Sequence, residues 1–180
     1  MPATMTPPTP AQETPVDREW IDQVIASHKG QPGALLSVLE AVQERHERQY
    51  LPRETLIYVA RRMRIPMSRI MSVVTFYAFF NLTPQGRHSV CICRGTACHT
   101  RGSRDLLIAA QHALGLNGEE EADKLSRTTE DYQFTLRTVA CFGQCALAPV
   151  IEVDRKIYGW MNEREIVKLI DQVRREEKGA

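Results

Sequence analysis

Residues 88–115 read HSVCICRGTACHTRGSRDLLIAAQHALG, and they decide the fold of the second half of the chain. HSVCIC is typical of a short strand, and SRDLLIAAQHALG is typical of a helix. Ser103 is a candidate N-cap of this helix, and Gly115 lies just past its expected end. The stretch therefore predicts a strand, a loop that carries cysteine, and a helix.

The segments that follow extend this unit. FTLRTVA (residues 134–140) has the β-branched and apolar side chains that strands favour, and PVIEVDRKIYGWM (residues 149–161) predicts a hairpin. NEREIVKLIDQV (residues 162–173) predicts a final helix, in which Asn162 and Glu165 form a capping box. The order is β-α-β-β-α, with the two strands around the first helix parallel and joined by a right-handed crossover. A small mixed sheet with helices laid on it is a thioredoxin-like plan, and the fold class of the whole chain is α+β.

The residues before this unit show helical periodicity. Pro52 and Pro66 stand where two of the helices should begin. Residues 16–84 are therefore expected to form a four-helix unit and residues 85–180 the thioredoxin-like unit, while the Pro- and Thr-rich residues 1–15 are expected to be a flexible tail. The four apolar stripes are Trp20, Ile21, Val24 and Ile25; Leu35, Leu36, Leu39 and Val42; Leu56, Ile57, Ala60 and Met63; and Met67, Ile70, Met71 and Val74.

An aromatic cluster follows the fourth helix. Phe76, Tyr77, Phe79 and Phe80 occupy too many successive positions for one face of a single helix to bury them all. We expect them to divide between the core of the unit and a surface for a partner. Because the second unit could fold alone, the helical unit is expected to serve docking.

Composition excludes several classes of protein. The formal net charge is +1 with acids and bases spread along the chain, so no basic surface for nucleic acid is expected. No apolar run approaches the roughly 18 residues that a membrane span requires, and the N-terminus has no signal or transit pattern. We expect a cytoplasmic protein without membrane insertion, which could be peripheral to a membrane complex on the cytoplasmic side.

All five cysteines lie within residues 90–102 and 140–149. An odd number of clustered cysteines in a reducing compartment favours metal binding or redox chemistry over structural disulfides. Cys93 is expected to end the first strand and Cys98 to lie in the loop after it, and Cys141 and Cys145 have the same placement at the second strand. Adjacent parallel strands bring their carboxyl ends to one edge of a sheet, so the four sulfurs are expected to converge there.

Four thiolates suit either a [2Fe-2S] cluster or a tetrahedral zinc ion. The intervals of four and three residues are wider than those of common zinc knuckles, which favours the two-iron cluster. Gly95 and Gly143 would let backbone N–H groups approach the sulfurs. Cys91 shares a strand face with Cys93 and is expected to pack in the core, and His99 is expected to lie near the site or at the surface.

Five stretches carry a resemblance to a known family: CRGTACHTRGS, CFGQCALAPVIEV, ALLSVLEAVQERH, YLPRETLIYVARRMRIP and VVTFYAFFNLTPQGRH. From about Asp17 to about Val173 the chain resembles the thioredoxin-like [2Fe-2S] subunit of NADH dehydrogenase modules, which is the 24 kDa subunit of respiratory complex I and of related NAD-linked or bifurcating hydrogenases and formate dehydrogenases. The resemblance implies that Cys93, Cys98, Cys141 and Cys145 bind one [2Fe-2S] cluster. It also implies a flavoprotein partner that oxidises NADH on FMN, and further iron-sulfur subunits.

Three functions compete on these residues. The leading one is an electron-transfer subunit of a flavin-dependent NADH oxidoreductase. A thiol-disulfide redox protein would also suit the thioredoxin-like plan, but a C-x-x-C motif at a helix start is missing, and a zinc-stapled interaction module is the third possibility. No Gly-rich phosphate loop or catalytic acid-base pair is evident, so the chain alone is expected to bind neither NADH nor FMN and to have no catalytic residue.

Overall fold

The computed structural model describes residues 17–116 and 126–178. The chain divides into two compact units, of which the first ends at Thr83 and the second begins at Pro84. The tail expected at residues 1–15 lies outside the described residues. Within the described ranges, no helix has both the length and the apolar character needed to cross a membrane.

Residues 17–83, the described part of the first unit, form four helices, as the periodicity predicted. Asp17 caps the first of them by accepting a hydrogen bond from the Trp20 N–H at 3.1 Å, and Pro52 and Pro66 immediately precede the third and fourth. In the third helix the buried stripe differs from the prediction, because Val59 is fully buried whereas Ile57 is only half-buried. The helices are α1 (Arg18–Ser27), α2 (Ala34–Arg45), α3 (Arg53–Met63) and α4 (Met67–Phe76).

A buried glutamine fixes the chain that leaves α4. The Gln43 amide donates to the Phe79 carbonyl oxygen at 3.1 Å and accepts from the Asn81 N–H at 2.7 Å. Asn81 in turn donates to the Gln49 carbonyl oxygen and accepts from the Leu51 N–H. Both polar ends of the buried Gln43 side chain are thereby satisfied, and the segment after α4 is held in one conformation.

The aromatic residues of that segment divide between core and surface. Phe80 is buried in the core of the unit, whereas Phe76 is 78% exposed and Tyr77 and Phe79 are exposed by 44% and 43%. Leu82 is exposed as well. We refer to Phe76, Tyr77, Phe79 and Leu82 as the aromatic surface.

The second unit is built on a five-stranded sheet. Its central strand pairs in parallel with the strand that follows the crossover, with Cys93 opposite Val139, and all other neighbours are antiparallel. The predicted parallel pair and the predicted hairpin are thus confirmed. The strands are β1 (His88–Cys93), β2 (Ser126–Thr128), β3 (Phe134–Val139), β4 (Ile151–Val153) and β5 (Lys156–Tyr158), in the spatial order β2-β3-β1-β4-β5.

The described residues of this unit, 84–116 and 126–178, form three helices: α5 (Thr96–Thr100), α6 (Ser103–Ala113) and α7 (Glu163–Lys178). The prediction of Ser103 as the N-cap of α6 is wrong, because Gly102 takes that position with φ of +94° and Ser103 is the first helical residue. The reason is that α5 ends only two residues earlier, so the chain must reverse through a left-handed residue. The capping box of α7 is confirmed, since Asn162 and Glu165 exchange side-chain to backbone hydrogen bonds of 3.0 Å.

Both long helices pack on one face of the sheet. Val90 and Ile92 of β1 are fully buried in that core, so Cys91 between them points to the other face. Cys91 is half-buried there, in register with Arg137 of β3 and Glu152 of β4, and not in the core where it was expected. The remaining core residues are Leu106, Ala110, Leu114, Phe134, Leu136, Ile151, Val153, Met161, Ile166 and Ile170.

Candidate metal centre

The parallel pairing of β1 and β3 brings four cysteines to one edge of the sheet. Cys93 is the last residue of β1, as expected. Cys98 lies in the short helix α5 and not in an open loop. Cys141 lies two residues beyond the end of β3, and Cys145 begins a 3-10 turn that spans Cys145–Leu147.

The four thiols form a connected group. The Cys93 thiol hydrogen-bonds with the thiols of Cys98 and Cys141, and the Sγ atoms of Cys141 and Cys145 are 4.0 Å apart. Among residues 17–116 and 126–178, no three His, Cys, Asp or Glu side chains are placed as ligands of one metal ion. Two of these sulfurs come from each cysteine segment, and four thiolates are a ligand set that both a [2Fe-2S] cluster and a zinc ion use.

The two pairs differ in exposure. Cys93 and Cys98 are 3% and 2% exposed, and they pack with the buried Ala148 and Val150. Cys141 and Cys145 are both exposed. A group held by the four sulfurs would have one side inside the protein and the other at its surface.

Backbone N–H groups are directed at the sulfurs. The Gly143 N–H donates to Cys141 Sγ at 3.2 Å, and the backbone of Gly95 and of Phe142 hydrogen-bonds to the Cys93 sulfur. Such bonds stabilise thiolates, and hydrogen bonds to sulfur are among the factors that set the reduction potential of a bound cluster. Backbone N–H groups of this chain therefore offset part of the negative charge that the sulfurs carry as thiolates.

The acidities of the thiols reflect their mutual contact. Burial raises the pKa of Cys93, but the backbone donors and the neighbouring thiols together bring it below its ordinary value. Burial and the Cys93 sulfur raise the pKa of Cys98, and the hydrogen bond and charge of Cys141 raise the pKa of Cys145. Four adjacent thiolates repel one another, so full ionisation of the group requires a cation between them.

Two further residues bring the cysteine segments together. A Cβ atom on Gly95 would lie 2.9 Å from the Ala140 carbonyl oxygen and 3.5 Å from Cys141 Sγ. Arg101, beyond α5, donates to the Ala148 carbonyl oxygen at 3.2 Å, next to the cis Ala148–Pro149 peptide bond. The sequence did not predict that Arg101 joins the two cysteine segments. The only signal for it was its position three residues after Cys98.

Comparisons with known proteins show what the chain is similar to. A family model described as thioredoxin-like [2Fe-2S] ferredoxin matches residues 21–174. The NADP-reducing hydrogenase subunit HndA of Solidesulfovibrio fructosivorans is 33% identical over 156 residues, which cover 87% of this chain and 85% of that protein. An NADH-quinone oxidoreductase subunit of Rickettsia felis is 35% identical over 143 residues, which cover 79% of this chain and 81% of that protein.

A solved structure shows the same fold. The crystal structure of an NAD+-reducing [NiFe]-hydrogenase in the air-oxidised state superposes with a TM-score of 0.63 and 20% sequence identity. The match covers 81% of this chain but only 23% of the hydrogenase chain. At this identity the likeness is one of fold.

Proposed function

Because the chain belongs to the thioredoxin-like [2Fe-2S] ferredoxin family, we propose that Cys93, Cys98, Cys141 and Cys145 bind its [2Fe-2S] cluster. The observation that carries this assignment is the meeting of four thiols, in two loop pairs, at the edge where β1 and β3 end. The fifth cysteine, Cys91, belongs to neither pair and points to a face of the sheet beside Arg137 and Glu152.

The chain is a subunit of an oxidoreductase, and its part in the reaction is electron transfer. When bound, the cluster supplies a couple that gains or loses one electron at a time. The residues of this chain orient four thiolates, donate N–H groups to them and keep water away from the Cys93 and Cys98 side. The exposed Cys141 and Cys145 leave the other side open to a redox partner.

The proposed partner is a flavoprotein subunit that oxidises NADH on FMN, together with further iron-sulfur subunits. Two relatives that match over most of their length are named as subunits of enzymes that use NADH or NADP, with different second substrates. A component common to both enzymes is suited to the step they share, which is electron exchange on the nicotinamide side. The sequence has no G-x-G-x-x-G stretch with which to bind a dinucleotide itself.

Docking of the four-helix unit on the flavoprotein is part of this proposal. The aromatic surface is exposed although Gln43 and Asn81 hold its backbone firmly, which is the arrangement of a preformed contact site. We place the complex on the cytoplasmic side, where a reducing environment keeps cysteine ligands from pairing as disulfides.

Anaerobic purification of the full chain tests the cluster. We expect two irons and two labile sulfides per chain, a red-brown colour that bleaches with dithionite, and a spin-half electron paramagnetic resonance signal only after reduction. One zinc ion without sulfide would support the interaction module, and a colourless protein that exchanges disulfides would support the thiol-disulfide alternative.

A further inference from the structure

Trp160 has an unusual backbone and an unusual position. Its φ is +52°, in the left-handed region that bulky residues rarely adopt, and it is 67% exposed. Its N–H donates to the Leu147 carbonyl oxygen at 2.7 Å, and the next N–H, of Met161, donates to the Pro149 carbonyl oxygen at 3.2 Å. These bonds fasten the end of the hairpin beside the 3-10 turn that begins at Cys145.

The preceding glycine makes this contact very close. A Cβ atom on Gly159 would lie 2.6 Å from Leu147 Cβ and 3.0 Å from its carbonyl oxygen. Met161, on the other side of Trp160, is buried in the core of the unit. The backbone of Trp160 is therefore fixed from both sides, and the exposure of its indole is built into the fold.

The segment next to Trp160 has no charged residue of its own, and the exposed Arg101 reaches it at the Ala148 carbonyl oxygen. Residues 140–151 contain no Asp, Glu, Lys or Arg, although 25% of the chain is charged, so this stretch departs from the rest of the surface. Within it Ala140, Cys141 and residues 143–146 are exposed. We refer to these exposed residues and Trp160 together as the cysteine face.

Its composition is that of the centre of a protein interface. Interface centres are depleted in charge and enriched in tryptophan, and single aromatic anchors there carry much of the binding energy. Within the described residues the Trp160 indole makes no hydrogen bond and no ring contact, so this large apolar side chain has no evident role in the isolated chain.

We propose that Trp160 anchors the cysteine face to the flavin-containing subunit, with its indole in an apolar pocket beside that subunit's electron carrier. This inference rests on the proposed function. Electron transfer slows steeply with distance, and the exposed Cys141 and Cys145 make this face the shortest approach to the four sulfurs. The exposed residues of this segment are mainly small and carry no charge, which allows close approach, and Trp160 adds one large apolar side chain.

The test compares the full-length wild type with Trp160→Gly and Trp160→Phe. Glycine accepts a positive φ without strain, so Trp160→Gly removes the indole and leaves the backbone relaxed. Ile108→Ala is the matched control, since Ile108 is an exposed apolar side chain of α6 in the same unit. Each protein is examined for iron content, midpoint potential, affinity for the separately produced FMN-containing subunit, and reduction by NADH through that subunit.

We expect Trp160→Gly to keep its iron and its midpoint potential and to bind the FMN-containing subunit at least ~30-fold more weakly, as loss of a strong interface anchor does. Trp160→Phe should lose less, and Ile108→Ala should match the wild type. NADH-driven reduction at limiting subunit concentration should fall in the same order.

Unchanged affinity of Trp160→Gly, while the wild type binds, would overturn this inference and leave the proposed function standing. A wild-type chain that holds its cluster but neither binds the subunit nor accepts electrons from it would overturn the proposed function and this inference with it. If the wild type self-associates and Trp160→Gly does not, with equal binding to the subunit, Trp160 is a contact between copies and the inference is wrong.

Discussion

Gly95 and Ala140 touch so closely that a methyl group on the Gly95 α-carbon would lie 2.9 Å from the Ala140 carbonyl oxygen. Gly95 lies between Cys93 and Cys98, after β1, and Ala140 lies directly before Cys141, after β3. The contact is between backbones, so the separation of the segments is set by the absence of a side chain.

Replacing Gly95 by Ala should therefore push the segments apart. Gly95 has φ of −60° and ψ of 157°, which alanine adopts freely, so the effect comes from the contact and not from backbone strain. We expect a loss of about 1 to 3 kcal/mol in the free energy of unfolding and a lower iron content. Gly115→Ala is the control, because alanine at a φ of +69° strains the backbone but meets no neighbouring atom, so that variant should lose stability and keep its iron. Equal iron in both would contradict the role of the contact.

The ligand assignment separates the five cysteines. Cys98→Ser or Cys145→Ser should abolish or severely destabilise the cluster, since each removes one thiolate from a pair. Cys91→Ser should keep the full iron content and cost at most about 1 kcal/mol of stability. Iron and sulfide analysis of the three variants checks this, and an iron content that fell with Cys91→Ser but held with Cys98→Ser would refute the assignment.

Arg101 connects the corner after α5 to the second cysteine segment through the Ala148 carbonyl oxygen. Arg101→Gln should lose that bond, lower stability by about 0.5 to 1.5 kcal/mol and speed the removal of iron by a chelator. Arg104→Gln changes an exposed arginine on α6 and serves as the control. Equal rates of iron loss in the two variants would show that the bond does not hold the segments together.

Gln43 is expected to matter for partner binding without touching the cluster. Gln43→Leu leaves the Phe79 carbonyl oxygen and the Asn81 N–H without their partner, at a cost of about 1 to 3 kcal/mol for such a group. The backbone under the aromatic surface should loosen, so affinity for the flavoprotein should fall while the visible spectrum stays the same. Glu44→Gln, at the exposed neighbouring position, should change neither property. If Gln43→Leu were destabilised but bound the flavoprotein with full affinity, the aromatic surface would not take part in docking.

Removal of residues 1–83 tests the helical unit as a whole. The remaining chain contains the entire sheet and all four proposed ligands, so it should stay coloured and reducible. It should no longer copurify with the flavoprotein or accept electrons from NADH through it. Removal of residues 1–15 alone should preserve both properties. If the truncated chain bound the flavoprotein with full affinity, the helices would have another contact, with a different subunit or with a second copy of the chain.

The elements with strong local signals could be predicted from the sequence. Asn162 and Glu165 stand at capping-box spacing and form both bonds, and Gly115 follows α6 with a positive φ. The pairing of β1 with β3 followed from the crossover rule, which depends on chain chirality and not on particular side chains. The meeting of the cysteine segments at one edge follows from the same pairing.

The missed elements are short or depend on distant contacts. β2 has three residues, Ser-Arg-Thr, without apolar alternation, and it exists because the edge of β3 offers hydrogen bonds. Helix α5 and the 3-10 turn at Cys145 are too short to show periodicity. The contacts of Gly95 with Ala140 and of Arg101 with Ala148 join segments some forty residues apart, and no local pattern reveals them.

Because β1 is the central strand, the two cysteine pairs differ in how easily the chain around them opens. β1 is hydrogen-bonded on both sides, by β3 and by β4, so its amides should exchange with solvent only when the whole unit unfolds. Cys93 sits at the end of that strand, whereas Cys141 and Cys145 lie in an exposed segment that can open by local fluctuation. Release of whatever the four sulfurs hold would therefore begin at Cys141 and Cys145, with the sheet still intact, and refilling would start from the Cys93 side without refolding.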